Sequence, residues 1–564
     1  MDSGIGLLIQ DVDASGPLLV CDEALSFWGG VHPQTGVIVD AHHPQCGESV
    51  VGRVVMMPSS RGSCTGSAVL LGLALIGKAP VALVFREPED VLTLGAVVGN
   101  TLYSSSIAVV RLDKQDYAQL ARQPHARISG GELSAGEFLV QLSNLDTARL
   151  NLTHRDQKML DGDEGEALQI AMNTLCTMGL VHGAQQMIDI TRVHIDGCIY
   201  ASPANLTFAQ TVKDMGGTVI VPTTMNAISV DYANWRKQGI ADYFGVPAQA
   251  LADAYIEMGA EPCFTCAPYL RVDKPALGES IAWAESNAVV YANSILGART
   301  NKHPDFLDLF IAMTGRAPEV GMYIDSQRQP SVAIDVEWPD NADESIWPLI
   351  GWLAGQISPD RIPVLQGLGH TDPHDDDLKA LCAAFGTTSG APMLHIEGIS
   401  PEAGAFAYNN LARHSIKRED ILDAWSEFNQ TRQPVDLVAL GSPHLSASEC
   451  RKFADLMEGK TIANGVDVIL TVGRDILGEV EKSGVHARLK QIGVQLVPDL
   501  CWCSISRPLF PITARTVMTN SGKYAHYGPG LSGCDVIFGS LADCAVAATS
   551  GCCPDGPPAW LAHA

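Results

Sequence analysis

The chain has 564 residues, and its 37 basic and 63 acidic side chains give a net charge of −26. Such an excess of negative charge argues against nucleic acid or an anionic membrane surface as a partner. Hydrophobic residues make up 46% and charged residues 18%, which is typical of a globular protein, and the length predicts two or more domains.

The sequence predicts neither a membrane segment nor an export signal. The longest apolar stretch, 68–85, is interrupted by Lys78 and Pro80, whereas a membrane span needs about 20 apolar residues. Fifteen cysteines in a long chain without a secretion signal do not indicate a disulfide framework. We therefore expect a cytoplasmic protein whose cysteines are mostly buried thiols, with a few as candidate metal ligands.

The first 112 residues predict a compact α/β unit. Its predicted strands are 18–21, 37–39, 51–57, 81–85 and 107–112, and its predicted helices are 68–76 and 90–99. The polar stretch 113–149, with its Gly130-Gly131 pair, predicts a connection between domains. We expect a small domain with its connection at 1–140 and a large domain at 150–564.

A regular pattern of strands is predicted in the last third of the chain. Short apolar runs recur there about 30 to 40 residues apart, as in βαβ units on a parallel sheet. The runs are 435–440, 466–471, 494–497 and 536–538. Ligands of such sheets bind beyond the carboxyl ends of the strands, so the residues that follow these runs, 441–444, 499–503 and 540–544, are candidates for a site.

A loop of glycine and hydroxyl residues occupies 58–67, with the sequence Pro-Ser-Ser-Arg-Gly-Ser-Cys-Thr-Gly-Ser. It lies between a short apolar run, 54–57, and a predicted core helix, 68–76. Glycine lets the backbone approach a ligand, and the helix that follows directs free N–H groups at the loop. Arg61 and Ser63 could therefore face a bound carboxylate. The alternative is a simple turn in which a serine or threonine caps the helix.

Several cysteines fall where predicted strands end. Cys263 and Cys266 have C-x-x-C spacing, Cys501 and Cys503 follow one predicted strand, and Cys544 begins a helix after another. Such loops could converge on one iron–sulfur cluster. Zinc, a thioredoxin-like pair and inert buried thiols are the alternatives that spacing alone leaves open.

Two further polar loops contain cationic side chains. In 292–302, Arg299 and nearby amide and hydroxyl donors suit a carboxylate, and 519–530 carries Lys523 and His526. For each loop the alternative is a surface turn. The candidate substrate-binding residues are Asn293, Ser294, Arg299, Thr300, Lys523 and His526. His395 and Glu402 are expected to satisfy backbone groups instead.

These motifs occur in one order, and with them the chain resembles aconitase X, a branch of the aconitase superfamily. Residues 1 to about 140 resemble its small swivelling domain, and about 150 to 564 resemble its large subunit. The matching segments are Arg61-Gly-Ser-Cys-Thr-Gly-Ser, Phe264-Thr-Cys-Ala-Pro-Tyr, Gly297-Ala-Arg-Thr-Asn, His395-Ile-Glu-Gly-Ile-Ser-Pro-Glu-Ala, Asp499-Leu-Cys, Thr519-Asn-Ser-Gly-Lys-Tyr-Ala-His-Tyr and Phe538-Gly-Ser-Leu-Ala-Asp-Cys. The resemblance implies an α/β fold, with a small swivelling domain and a large multi-lobed domain built on parallel sheets.

The resemblance implies a dehydratase. Family members with both parts in one chain convert cis-3-hydroxy-L-proline to Δ1-pyrroline-2-carboxylate, and members with two subunits dehydrate mevalonate 5-phosphate. The fused arrangement here implies the first activity, with a small hydroxy amino acid as substrate and no need for a separate small subunit. The phosphomevalonate activity and a non-catalytic iron–sulfur protein stay open as alternatives.

The resemblance also implies roles for particular residues. Cys266, Cys501 and Cys544 fall on the motifs that hold the family's iron–sulfur cluster, and its iron would be the Lewis acid; the number of irons is open. The neighbouring Cys263 and Cys503 are possible substitutes.

The same resemblance favours Ser63 as the general base, with Arg61 beside it to hold the substrate carboxylate or to lower the pKa of the serine. Ser59 and Ser60 compete for the role of base, because in ordinary aconitase the catalytic serine begins a Ser-Ser-Arg motif.

Overall fold

The computed structural model describes residues 5–61, 63–431 and 433–562. Gly62, in the serine loop, therefore lies outside the described residues. The chain divides into two compact units. The first comprises 5–223, 254–260 and 303–320, and the second comprises 224–253, 261–302 and the rest of the chain from Gly321.

The strands are β1 (Ile5–Gln10), β2 (Ala14–Val20), β3 (Val54–Met57), β4 (Ala82–Phe85), β5 (Ala108–Arg111), β6 (His125–Ser129), β7 (Glu132–Ala135), β8 (Phe138–Asn144), β9 (Met187–Asp189), β10 (Val193–Ile195), β11 (Thr223–Met225), β12 (Ala282–Trp283), β13 (Arg316–Pro318), β14 (Val332–Val336), β15 (Pro363–Gln366), β16 (His395–Ile396), β17 (Ala412–Ile416), β18 (Leu437–Leu440), β19 (Asp467–Val472), β20 (Gln495–Pro498), β21 (Thr516–Thr519) and β22 (Asp535–Phe538).

The α-helices are α1 (Gly66–Leu75), α2 (Val91–Tyr103), α3 (Lys114–Leu120), α4 (His154–Asp161), α5 (Glu166–Val181), α6 (Pro203–Asp214), α7 (Asp242–Glu257), α8 (Ser286–Tyr291), α9 (Leu307–Thr314), α10 (Ile346–Ile357), α11 (Asp375–Thr388), α12 (Arg418–Phe428), α13 (Ala447–Leu456), α14 (Arg474–Lys482), α15 (Val485–Gln491), α16 (Gly522–Ser532), α17 (Leu541–Ser550) and α18 (Ala559–Ala562).

The first unit begins with a closed barrel in the strand order β1-β5-β4-β3-β2-β6-β7-β8. Successive side chains of a strand point to opposite faces, and β3 buries both of its faces. Val54 and Met56 join one apolar cluster, together with other barrel residues. Val55 and Met57 join a second cluster, which also contains residues of α1 and α2. The apolar run that leads into the serine loop is therefore fixed from both sides.

The polar stretch 113–149 was predicted as a domain connection, and that prediction is wrong. It forms α3 and then β6, β7 and β8, which complete the barrel. Gly130 and Gly131 both have positive φ, as the tight hairpin between β6 and β7 requires. The strands are polar because β6 alternates exposed and buried residues, so that only one face meets the core.

The predicted boundary near 140–150 marks the end of the barrel, whose last strand finishes at Asn144. The compact unit continues beyond that point, through α4, α5, α6 and α9. A buried ion pair ties α4 to β13: Arg316 donates to the two carboxylate oxygens of Asp156 at 2.9 and 3.1 Å. No helix among the described residues is both long and apolar enough to cross a membrane.

The second unit contains two parallel sheets, β16-β15-β14-β17 and β20-β19-β18-β21-β22. The predicted α/β class with parallel sheets is thereby confirmed. In the five-stranded sheet the structure adds β21, which was not predicted because it begins and ends with threonine. All five strands run the same way, so their carboxyl ends lie along one edge of the sheet.

Candidate active site

The loops at the carboxyl edge of the five-stranded sheet carry the candidate metal ligands. Cys501 and Cys503 follow β20, His444 follows β18, and Lys523 lies in the first turn of α16, after β21. Cys266 comes from a separate loop of the same unit that precedes α8. The predicted position beyond the strand ends therefore holds for Cys501, Cys503 and His444, whereas Lys523 follows β21, a strand that was not predicted.

Three cysteines form one contiguous group, which we call the cysteine trio: Cys266, Cys501 and Cys503. Cys501 shares hydrogen bonds with both of the others, and the trio packs against Ala227. The contact with Cys266, together with burial, raises the pKa of the Cys501 thiol well above its ordinary value. A metal that binds to these thiols would displace their protons.

His444 holds the two cysteine loops together. Its backbone N–H lies 3.3 Å from Cys266 Sγ and donates to it. Its ring nitrogens pair with the Leu500 carbonyl at 2.8 Å and with Thr265 Oγ1 at 3.3 Å. Burial lowers the pKa of His444 to about 4, so the ring is neutral, and both of its nitrogens are already engaged. His444 therefore supports the trio and is not one of its ligands.

Arg474 also bridges the two loops. Its guanidinium donates to both oxygens of Asp499, at 2.7 and 3.1 Å, and lies over the ring of Phe264 at 4.4 Å. Asp499 and Phe264 both have positive φ, which is uncommon for side chains other than glycine. Their contacts with Arg474 stabilise these backbone conformations and thereby fix the positions of the neighbouring cysteines.

A buried ion pair lies next to the trio. Lys523 Nζ donates to Glu285 Oε1 at 2.7 Å, and both residues are less than a tenth exposed. Burial alone would lower the pKa of Lys523, but the charges of Glu285 and of the three cysteines raise it well above its ordinary value. Asn287 links the pair to the trio, because its amide donates to Glu285 at 2.6 Å and to the Cys266 carbonyl at 3.1 Å.

Among the described residues, the apolar cluster of the trio contains neither Cys544 nor Cys263. Cys544 belongs to the apolar core formed by α13, α17 and the strands of the sheet. It lies in the helix that follows β22, and β22 and β20 are at opposite edges of that sheet. The structure therefore does not place Cys544 with Cys266 and Cys501, the other two predicted ligands. Cys263 donates its thiol to the Met225 carbonyl at 3.1 Å. The predicted substitute Cys503 is the third cysteine of the group.

Thiolate sulfur suits iron–sulfur clusters and zinc better than hard cations. The trio offers three such donors, a backbone N–H directed at one of them and a nearby ammonium group. These features fit a negatively charged, thiolate-bound metal group.

Three of the predicted substrate-binding residues hold the scaffold instead. Asn293 donates to the carbonyls of Thr300 and Pro392 at 2.8 and 2.9 Å. Thr300 Oγ1 bonds to both backbone groups of Trp283, and Ser294 Oγ accepts from the Leu394 N–H at 3.0 Å. All three predicted residues are buried, and these polar atoms bond to backbone groups of the protein, most of them outside the loop 293–300.

Arg299 and His526 differ from those three. Arg299 pairs with Asp325, but its Nε has no hydrogen-bond partner among the described residues. His526 is exposed, and its Nδ1 accepts from the Trp352 indole at 3.2 Å. Of the predicted substrate-binding residues, Arg299 and Lys523 carry the positive charge that a carboxylate would need, and each is paired with a carboxylate of the protein.

Arg328 organises the loop 293–300, and no sequence motif identified it. It is 1% exposed and donates to Asn293 and to the carbonyls of Ala298 and Met322. It also pairs with Glu402, while His395 Nε2 lies 2.8 Å from the Arg328 carbonyl. His395 and Glu402 thus have structural partners in the structure.

Replacing Arg328 with methionine is expected to destabilise the protein by about 3–5 kcal/mol, because it leaves Glu402 and several buried carbonyls without a partner. The matched control is Arg413→Met, which breaks a half-exposed pair with Asp335 and should cost no more than about 1 kcal/mol. Urea unfolding of the two variants checks this. Equal stability of the two would contradict the role assigned to Arg328.

The serine loop lies in the first unit. Ser63 Oγ accepts from the Thr65 N–H at 3.3 Å and lies 3.2 Å from Thr65 Oγ1, just before α1. Arg61 is paired with Asp40 at 2.9 Å and with Glu23 at 3.7 Å, and these pairs are partly exposed. Ser60 donates to the buried Glu89 at 2.5 Å. Ser60 therefore has a structural partner, whereas the Ser63 hydroxyl bonds, among the described residues, only to the nearby Thr65.

Four family models match the chain in succession. They are the aconitase X swivel domain at residues 6–135, and its first, second and third domains at 149–326, 330–426 and 435–550. The crystal structure of Thermococcus kodakaraensis aconitase X in its holo-form is 28% identical, with a TM-score of 0.65, and the match covers 71% of this chain and 100% of that one.

Named relatives match at higher identity. Cis-3-hydroxy-L-proline dehydratase of Pseudomonas aeruginosa is 46% identical over 98% of this chain and 97% of its own. The enzyme of that name from Hypocrea jecorina is also 46% identical, over 95% and 94%. The phosphomevalonate dehydratase large subunit of Methanocaldococcus jannaschii is 31% identical over 69% of this chain and 98% of its own. The chain belongs to the aconitase X family.

Proposed function

We propose that the protein is a hydro-lyase that dehydrates cis-3-hydroxy-L-proline to Δ1-pyrroline-2-carboxylate. The observation that carries this proposal is the 46% identity to two cis-3-hydroxy-L-proline dehydratases over nearly the whole fused chain. The phosphomevalonate relatives are more distant, and a large subunit and a small subunit of that enzyme match 69% and 15% of the chain.

The charges near the candidate residues support the same substrate class. Arg61, Arg299 and Lys523 each already have a carboxylate partner. A phosphate dianion would need additional cations, whereas an amino acid carries one carboxylate and its own positive charge. The second candidate, mevalonate 5-phosphate, is therefore less well matched by these residues.

We propose the cysteine trio as the ligand set of an iron–sulfur cluster. When bound, such a cluster supplies a Lewis-acidic iron that helps a hydroxide leave. Around it, the His444 N–H donates a hydrogen bond to Cys266 Sγ, and Lys523 offsets part of the negative charge of the three sulfurs. Glu285 keeps Lys523 protonated and in place.

The chain's own contribution to the chemistry is a proton acceptor. The reaction removes the proton from the carbon that bears the carboxylate, and the released electron pair forms a carbon–carbon double bond as the hydroxyl leaves the adjacent carbon. The enamine then tautomerises to the cyclic imine, and one water is released overall. We propose Ser63 as the acceptor of that proton. The Thr65 N–H, which already donates to Ser63 Oγ, would stabilise the alkoxide.

Incubation of anaerobically prepared, iron-replete protein with cis-3-hydroxy-L-proline is expected to yield Δ1-pyrroline-2-carboxylate. Formation of this product is measured by NMR. Mevalonate 5-phosphate serves as the parallel substrate under the same conditions. If the protein turned over only mevalonate 5-phosphate, the second candidate function would replace the first. A cluster-loaded protein that turns over neither compound would contradict the proposed function.

A further inference from the structure

A second group of metal-binding side chains lies in the first unit: Cys64, Asp196 and Asp305. One ligand atom from each, the Cys64 sulfur and a carboxylate oxygen of each aspartate, lies within 4.8 Å of the other two. The thiol of Cys64 is 3.0 Å from Asp196 Oδ2. The three residues are 5%, 6% and 2% exposed. This group contains none of the cysteine trio.

The three side chains come from separate elements that are held in place by other contacts. Cys64 precedes α1, and its carbonyl accepts from Ser67 Oγ at 2.8 Å. Asp196 follows β10, and its backbone N–H donates to Asp308 Oδ2 at 2.7 Å. Asp305 precedes α9. The group is therefore preorganised by the fold and does not depend on mobile surface side chains.

Asp305 provides an independent indication of a cation site. Its carboxylate shares hydrogen bonds with Cys64 and Thr65. Its Oδ1, however, has no hydrogen-bond partner within the part of the chain that the structure describes, although the residue is almost fully buried. Leaving a buried polar oxygen without a partner is costly. A bound cation would supply a partner for this oxygen.

We propose that Cys64, Asp196 and Asp305 bind one divalent metal ion, and that the ion is zinc. One thiolate and two carboxylates are ligand types that zinc accepts, with a fourth position left for water. Calcium and magnesium prefer oxygen ligands alone. Because Cys64 directly follows Ser63 in the chain, the ion would also fix the serine loop to β10 and α9. This site is additional to the proposed cluster and to the proposed activity.

The test measures zinc and iron in the cluster-loaded enzyme after chelation and re-addition of zinc chloride, followed by removal of unbound metal. One zinc per chain is expected in addition to the cluster iron. Cys64→Ser and Asp305→Asn should each weaken zinc binding by about 10-fold or more, because even residues that only support a metal ligand have effects of that size. The matched control is Cys46→Ser, which removes an exposed thiol of the same unit and should keep the zinc.

Anomalous diffraction at the zinc edge from wild-type crystals makes the test independent of how the variants fold. The expected result is a peak among Cys64, Asp196 and Asp305. The proposal is overturned if the peak lies at the cysteine trio alone, if no zinc binds, or if both folded variants keep wild-type zinc affinity. Iron content is read separately, so that failure of this site is distinguishable from failure of the proposed cluster.

Discussion

Replacing Cys501 with alanine is expected to remove the iron–sulfur cluster and with it all measurable turnover. Cys501 is the middle member of the trio, since it contacts both Cys266 and Cys503. Without Cys501, the sulfurs of Cys266 and Cys503 lose the thiol that contacts both of them. Iron, acid-labile sulfide and visible absorption of the anaerobically purified variant are the measurements.

Two further variants make this prediction specific. Cys503→Ala should lose the cluster as Cys501→Ala does, whereas Cys544→Ala should keep it. Cys544 lies in the apolar core of α17 and the sheet, where removing one sulfur atom leaves a small cavity and costs about 1 kcal/mol. Loss of iron from Cys544→Ala, together with a full cluster in Cys503→Ala, would return the ligand set to the one that the resemblance implied.

Ser63→Ala is expected to lower the rate about 100-fold or more, the usual effect of removing a general base, while the melting temperature changes little. Among the described residues, the hydroxyl of Ser63 has hydrogen bonds only with Thr65, two residues away. If Ser63 had only a capping role, its loss would cost about 1 kcal/mol of stability and would leave the folded enzyme active. Turnover and melting temperature are measured together, at equal iron content.

Ser59→Ala and Ser60→Ala are the controls for this prediction. Ser60 donates to Glu89, whose carboxylate accepts the first N–H groups of α2, so Ser60→Ala should lower stability more than rate. A folded, iron-replete Ser59→Ala that is inactive, beside an active Ser63→Ala, would show that the wrong serine was chosen.

Local patterns in the sequence were sufficient for much of the fold. The spaced apolar runs after residue 430 predicted a parallel sheet, because buried βαβ strands are short and apolar. Polar strands were predicted poorly: β6 to β8 were interpreted as a connection because only one of their faces meets the barrel core. β21, with its terminal threonines, was missed for a similar reason.

The sequence by itself determined the α/β class, the family resemblance, the serine loop and two of the three cysteines that lie together. Only the tertiary structure decided the third, because the order of strands in a sheet is not written in their order along the chain. β20 and β22 are at opposite edges, which separates Cys544 from Cys501 and leaves Cys503 as the neighbour. The tertiary structure alone also brings Cys64 and Asp196 together. They are 132 residues apart in sequence, yet the Cys64 sulfur lies 3.0 Å from an oxygen of Asp196. Such contacts depend on the packing of distant elements, which no local spacing of residues encodes.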